Sequence, residues 1–268
     1  MESTGRATAR SRQGNGARDD KEFMATLAKG LAVLGAFGRQ RPTMTLSEAA
    51  EVADLSRAAA RRVLRTLSLL GYVEQQGRNF SLSPRILEFG FAYLSTQSWI
   101  DRALPLMREL SERLGESCSA AILQGHDIVY VARVPARRIM SAALSVGSRL
   151  PALHTALGRV LFGYLDEAEI WRRLKSQRIE AYTPQSITDL QALFDRIRAD
   201  RAQGFSIVDE ELELGLRALA VPVLDRTGQA VGAINLSTHS TRTTRNEMRE
   251  RFLPELNRIA DQLSSMTA

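Results

Sequence analysis

Between Ser56 and Gly71 the chain encodes one short helix with two opposed faces, and no other segment limits the fold as tightly. Ala60, Val63, Leu64 and Leu67 fall at i, i+3, i+4 and i+7, the spacing that gathers apolar side chains into one buried stripe. Arg57, Arg61 and Arg65 repeat at i, i+4 with Arg62 beside them, and no acid occupies the helix. Like charges one turn apart repel by about 0.2–0.5 kcal/mol per pair, so an unpaired arginine ridge is a stability cost that a polyanion offsets. A solvated helix face ordinarily mixes glutamate with its arginines; an acid-free one points to nucleic acid.

The flanks say how this helix is used. Ser56 is a favoured N-cap residue and Gly71 stands where a helix stop favours glycine. Upstream, Thr45-Leu46-Ser47-Glu48 matches a capping box that opens a helix over about Leu46–Ala53, and Asp54-Leu55 supplies a tight turn. Still earlier, Phe23, Leu27, Leu31 and Leu34 predict a core-facing helix that ends near Gly38. Downstream, Tyr72–Gln76 and Arg78–Leu82 flank Gly77 as a β-hairpin. A helix-turn-helix over about 46–65 followed by a hairpin makes residues 23–83 a winged helix-turn-helix module, whose second helix enters a DNA major groove. The expected DNA contacts are Ser56, Arg57, Arg61, Arg62 and Arg65, with Arg78 and Asn79 from the hairpin tip. A membrane-surface role is excluded, because Val63, Leu64 and Leu67 are needed to pack so small a core.

Charge supports this division. The formal net charge is +6 with pI ≈ 10.0, yet residues 1–82 carry 13 Lys+Arg against 8 Asp+Glu while residues 83–268 carry 23 against 22. The basic excess thus belongs to the smaller module. Residues 1–22, rich in Arg, Gly and Ser, read as a disordered basic arm. A single cysteine, Cys118, excludes an internal disulfide and fits a reducing compartment. His126, His154 and His239 are too scattered for a zinc site, and no cofactor or metal is expected. The absence of an apolar leader and of any 18-residue apolar run leads to the expectation of a cytoplasmic protein without a membrane partner.

The remaining chain changes character. Ser83-Pro84 opens a helix from Pro84 to about Gln97, and residues 84–98 are expected to link the modules. Leu87, Phe89, Phe91 and Tyr93 make it too apolar for a free tether, so it is expected to pack against the same helix of a second subunit. In residues 99–268 a helix from about Ile100 to Leu114 precedes strands at Ser117–Leu123, Ile128–Val134 and Ile139–Ser145. Helices follow at Leu153–Leu165, Glu167–Ser176 and Leu190–Gln203, then strands at Phe205–Val208, Arg217–Leu224 and Ala230–Ser237. A last helix begins near Thr243 or Thr244, with Glu247 completing a capping box, and ends near Ser264. Strands joined by hairpins give an antiparallel sheet, and the fold class is α+β. None of the common nucleophile, phosphate-loop or metalloprotease motifs occurs, so no enzyme activity is expected. The alternative is a small-molecule enzyme with a basic nucleic-acid-binding appendage, for which Asp209-Glu210-Glu211 with Glu213 is the one dense acidic run.

At the level of motifs, the run from Leu46 to Gly90 resembles the winged helix-turn-helix and linker of the IclR family of bacterial transcriptional regulators. The run from Gly204 to Arg242 resembles the family's effector domain, and that from Val131 to Leu165 is similar to the subgroup controlling aromatic-acid and β-ketoadipate catabolism. The resemblance implies a double-stranded DNA operator, a GAF-like effector domain for a small carboxylic acid, and a homodimer or dimer of dimers. It implies an effector pocket among Ser145, Gly147, His154, Thr155, Ala156, Asp209, Arg217, Asn235 and Ser237. A helix start near Leu153–Ala156 would offer amides to the acid, while Arg217 could instead pair with the acidic run. Where small-keto-acid-sensing members carry an aspartate and a cysteine, this chain has Val208 and Ala218, which argues against glyoxylate or pyruvate.

Overall fold

The computed structural model describes residues 21–136 and 144–264, which divide into two compact units between Ala92 and Tyr93. Residues 1–20 of the arm expected at 1–22 lie outside the described residues, and so does most of the strand expected at Ile139–Ser145.

The first unit opens with α1 (Ala25–Ala36), β1 (Thr43–Thr45), α2 (Leu46–Val52) and α3 (Arg57–Leu69). The Thr45–Glu48 capping box opens α2, and Ser56 Oγ caps α3 by accepting from the Ala59 amide at 3.2 Å. Then β2 (Val73–Gln76) and β3 (Asn79–Leu82) form the wing, and β1 adds to it, giving the antiparallel order β1-β3-β2. The sequence reading missed β1, three residues with no alternation to reveal them. Val63, Leu64 and Leu67 of α3 pack with Val33, Phe37, Met44, Ala49 and Val73. The core stripe expected on α1 is corrected in part: Leu27 and Leu31 are 58% and 59% exposed, whereas Leu34 of that stripe packs on the core beside Val33 and Phe37. Only one side of so short a helix fits against α2 and α3, and its larger apolar stripe stays at the surface.

The expected linker helix is also corrected. Pro84–Ile86 form a 3-10 turn and α4 runs Leu87–Ser95; the Thr96 and Gln97 amides then close it on the Tyr93 and Leu94 carbonyls, at 3.1 and 3.0 Å. Such i to i+3 bonds tighten and end a helix. At the other end, the Ser83 hydroxyl donates to the Gly71 carbonyl and Arg85 Nη1 to the Leu70 carbonyl at 2.7 Å. The Arg85 guanidinium lies over the Tyr72 ring, which packs on Phe89 at 5.3 Å between centroids. The first turn after the wing therefore caps the end of α3.

In the second unit, which starts at Tyr93 near the end of α4, α5 (Ser98–Leu114) stops at Gly115 with φ 70°, the left-handed region where glycine carries no Cβ penalty. The strands β4 (Ser117–Gln124), β5 (Asp127–Val134), β6 (Arg149–Pro151), β7 (Ser206–Asp209), β8 (Leu216–Leu224) and β9 (Ala230–His239) form one antiparallel sheet in the order β6-β5-β4-β9-β8-β7. The fold is α+β. The sequence reading missed β6, again three residues long. On one face, α5 and the C-terminal α10 (Leu253–Ser264) bury Met107, Leu110, Leu219, Leu236, Leu256 and Ile259. The segment before α10 comprises α9 (Arg245–Glu247), capped by Thr244 and Glu247, and a π turn at Met248–Phe252. The opposite face carries α6 (Ala156–Phe162), α7 (Glu167–Lys175) and α8 (Leu190–Gln203), with Leu157, Phe162, Leu193 and Ile197 packed over Ala121, Ala218, Ala220 and Ala233. The helix expected over Leu153–Leu165 is shorter than its pattern, because Ala152–His154 form a 3-10 turn and Thr155 is the N-cap. Gly158 permits this close approach: a Cβ there would meet the Ala152 carbonyl oxygen at 2.2 Å. Cys118 is fully buried, and burial pushes its thiol up to about 12, which makes it an inert core residue.

Candidate nucleic-acid interface and effector pocket

In the first unit, α3 and the wing enclose an open groove of about 860 Å³ lined by Arg57, Arg61, Arg65 and Arg78 and by no acid. All four arginines are exposed, and among the described residues none forms an ion pair. The stability cost of the ridge is therefore uncompensated within the unit. Ser56 serves the site as the cap that fixes the start of α3. Arg62 is exposed on α3 but does not line the groove, and Asn79 sits in β3 paired with Gln76 and Thr45 rather than at the tip. Thr45, Ser47, Ser68 and Gln75 do line it and were not among the expected DNA contacts. For Ser68 a signal existed, since it extends the 57, 61, 65 ridge by three residues.

In the second unit, the nine expected effector residues divide between two faces of the sheet. Asn235 and Ser237 share the face of Ala233, beneath α6, and in register Ser237 lies beside Ala218 and Asn235 beside Ala220. His154 and Thr155 are buried next to α6, and Ala156 begins it. Ser145 and Gly147 belong to the turn after the undescribed segment, where the Gly147 amide donates to the Tyr130 carbonyl. By alternation, Asp209 and Arg217 fall on the opposite face with Ile207 and Leu219. There Arg217 Nε and Nη2 donate to the two Asp209 carboxylate oxygens at 2.7 and 2.9 Å, and Nη1 donates to the Ser240 and Thr243 carbonyls. Arg245 adds a third donor to Asp209 at 2.8 Å. Burial raises the Asp209 pKa, but these bonds outweigh it and hold the carboxyl below its usual value.

The amides expected at the start of α6 are partly occupied. Thr155 Oγ1 accepts from the Gly158 amide at 3.1 Å and donates to the Ala152 carbonyl. Beside it, His154 is 3% exposed, its ring meets Tyr182 edge-on at 5.2 Å, and its Nδ1 has no partner among the described residues. Burial, and then the nearby Arg159 charge, lower its pKa and keep the imidazole neutral near pH 7. Asn235 Oδ1 is likewise buried, with no partner among the described residues.

Residues 26–77 match the IclR helix-turn-helix domain and residues 91–265 the bacterial transcriptional regulator IclR C-terminal domain. The chain belongs to the IclR family. It is 42% identical to the Pca regulon regulatory protein of Pseudomonas putida over 88% of this chain and 82% of that one. A transcriptional regulator from Rhodococcus sp. RHA1 has a solved structure at 41% identity and TM-score 0.80, covering 91% of this chain and 98% of that one. The inducer-binding domain of the PobR transcription factor from Acinetobacter, a double mutant in complex with 3-hydroxybenzoic acid, matches at 29% identity and TM-score 0.58 over 61% of this chain and 96% of that one. Regulators of aromatic-acid catabolism thus lead its relatives. Like other IclR proteins, the chain is a DNA-binding transcription regulator. Among the described residues no helix is long and apolar enough to cross a membrane, and no group of three His, Cys, Asp or Glu could hold a metal ion.

The IclR sheet face beneath α6 has a feature that no sequence motif announced. Arg159, wholly buried, donates Nη1 to Glu211 Oε1 at 2.8 Å, its Nη2 to Oε2, and Nε to the Leu153 carbonyl. Three of the four acids of the run thereby have structural roles: Asp209 serves Arg217, Glu211 serves Arg159, and Glu210 accepts from the Ser240 hydroxyl. At the positions discussed above, Val208 and Ala218 are register partners on the face beneath α6, both buried and apolar.

Proposed function

We propose that this IclR protein binds an inverted-repeat operator as a dimer and that a small aromatic acid, bound in the second unit, controls that binding. The acid-free arginine groove between α3 and the wing carries the DNA half of the reading. For the effector half, the support is the pairing of a 3-hydroxybenzoic acid complex in a relative with buried, unpartnered polar atoms on His154 and Asn235 here. The apolar Val208–Ala218 pair suits a ring better than a small keto acid. Leu27 and Leu31 of α1 and Leu87, Phe89 and Phe91 of α4 are exposed, and a second copy of the chain is what would cover them. Effector control requires the acid to favour one arrangement of the dimer over another. The test is fluorescence anisotropy on a palindromic fragment from upstream of the gene, titrated with and without each acid of a hydroxybenzoate panel. Tight binding with a steep salt dependence, shifted by at least one acid, is expected. Binding that ignores salt and every acid would refute it.

A further inference from the structure

Arg217, one of the residues expected in the effector pocket, is saturated by Asp209 and backbone carbonyls on the other side of the sheet. A different guanidinium stands on the right side. Arg133 of β5 is the register partner of Ser119 of β4, which is the register partner of Asn235 of β9. The three form a row across adjacent strands on the face beneath α6. Arg133 is half-buried, and among the described residues it pairs with no carboxylate; its one hydrogen bond is from Nη1 to Ser119 Oγ at 3.1 Å. Residues 137–143 contain no acid either. Ser119 is fully buried and Asn235 is 4% exposed; Asn235 Nδ2 donates to Ser237 Oγ at 3.1 Å, and Oδ1 accepts nothing. A half-buried cation without an anion and a buried acceptor without a donor, two strands apart, are complementary to one molecule that carries both missing groups. Two strand spacings are roughly 10 Å, a span that a one-ring acid fills once the arginine side chain turns inward.

We infer that Arg133 is the carboxylate-recognising residue of the effector site and that Asn235 Oδ1 receives a ligand hydroxyl, which makes the effector a hydroxylated one-ring acid. This deepens the effector reading above and rests on it. The guanidinium fork accepts a carboxylate bidentately, which the point charge of a lysine does not reproduce. Ser119, already held by Arg133, keeps the fork against the sheet.

The test is calorimetric titration of the full-length protein with 3-hydroxybenzoate, 4-hydroxybenzoate and 3,4-dihydroxybenzoate, with the neutral amide of whichever binds, and with benzoate. Arg133→Gln is expected to weaken the acid by roughly 10- to 100-fold, as loss of a charged hydrogen-bond partner does, and to leave the amide within about twofold. Arg133→Lys should fall between. Asn235→Ala should erase the preference for the hydroxylated acid over benzoate, and Arg217→Gln should retain the preference for acid over amide. Melting curves accompany each variant; if Arg133→Gln fails to fold, Arg133→Lys and the wild-type comparison of acid with amide decide. An unchanged preference for acid over amide in Arg133→Gln, or a wild type that binds amide as well as acid, overturns the subsite alone. A wild type that binds none of the three acids overturns the effector class and the subsite together.

Discussion

The two units use arginine in opposite ways. In the first, Arg57, Arg61, Arg65 and Arg78 line one groove with no anionic partner among the described residues. In the second, Arg159, Arg173, Arg217, Arg242 and Arg245 each hold a carboxylate within 3 Å. Identical side chains are a recognition surface where acids are absent and a scaffold where acids are supplied. The difference predicts that removing a groove arginine from the first unit costs binding and not stability, and that disturbing one of these pairs in the second costs stability and not DNA affinity.

The largest expected effect is at the buried pair. Glu211→Gln leaves Arg159 charged in the core and should destabilise the second unit by about 3–5 kcal/mol in urea unfolding, whereas replacing both residues by apolar ones of similar volume should restore most of it. An equal loss in single and double variants would break the scaffold side of the comparison. Next come the groove arginines. Arg61→Ala, Arg65→Ala and Arg78→Ala should each weaken operator binding by about 1–3 kcal/mol where a base is read, or lower the salt slope by about 0.9 where a phosphate is held. Arg62→Ala, outside the groove, should do less, and none should lower the melting temperature of the first unit. A loss of stability equal to the loss of affinity would show that the ridge is structural. Ser56→Ala, which removes the cap of α3, should cost about 1 kcal/mol and weaken DNA binding only through that loss.

The Asp209 cluster gives a pH test. Its carboxyl is held below the usual value in the folded state, so its contribution is complete above the unfolded carboxylate pKa, near 4, and fades as pH falls through the lowered folded value. Asp209→Asn should flatten the acid limb of the stability curve of the second unit. The smallest effect belongs to the exposed Arg149–Asp127 pair, where Asp127→Asn should change stability by about 0–1 kcal/mol, and less in high salt.

How much of this was legible in the sequence follows from range. The capping boxes at Thr45–Glu48 and Thr244–Glu247, the stop at Gly204 and the two faces of α3 depend on residues three or four apart, and each stands as read. The groove was half legible, because the ridge is local to α3 while Thr45 and Gln75 reach it through folding. The effector residues were the least legible. Asp209 and Arg217 look like site residues in one dimension, and only the register that places Ile207 and Leu219 in the α10 core turns them away from Asn235. The ion pair of Arg159 with Glu211 spans 52 positions, and nothing in the local pattern of either residue foretells it. The exposed stripe of α1 misleads for another reason: periodicity shows that a face is apolar without saying what covers it.

The caps on α3 also say where this protein can be cut and rejoined. The carbonyls of Leu70 and Gly71 are held by Arg85 and Ser83, residues that follow the wing, and Tyr72 leans on Phe89. A chimera spliced after Leu82, at the visible end of the hairpin, would give the reading helix of one parent end caps chosen for another. A splice beyond Ala92 keeps the helix, its caps and its aromatic prop from a single parent, and is the seam at which one unit can be exchanged between relatives without unpicking the other.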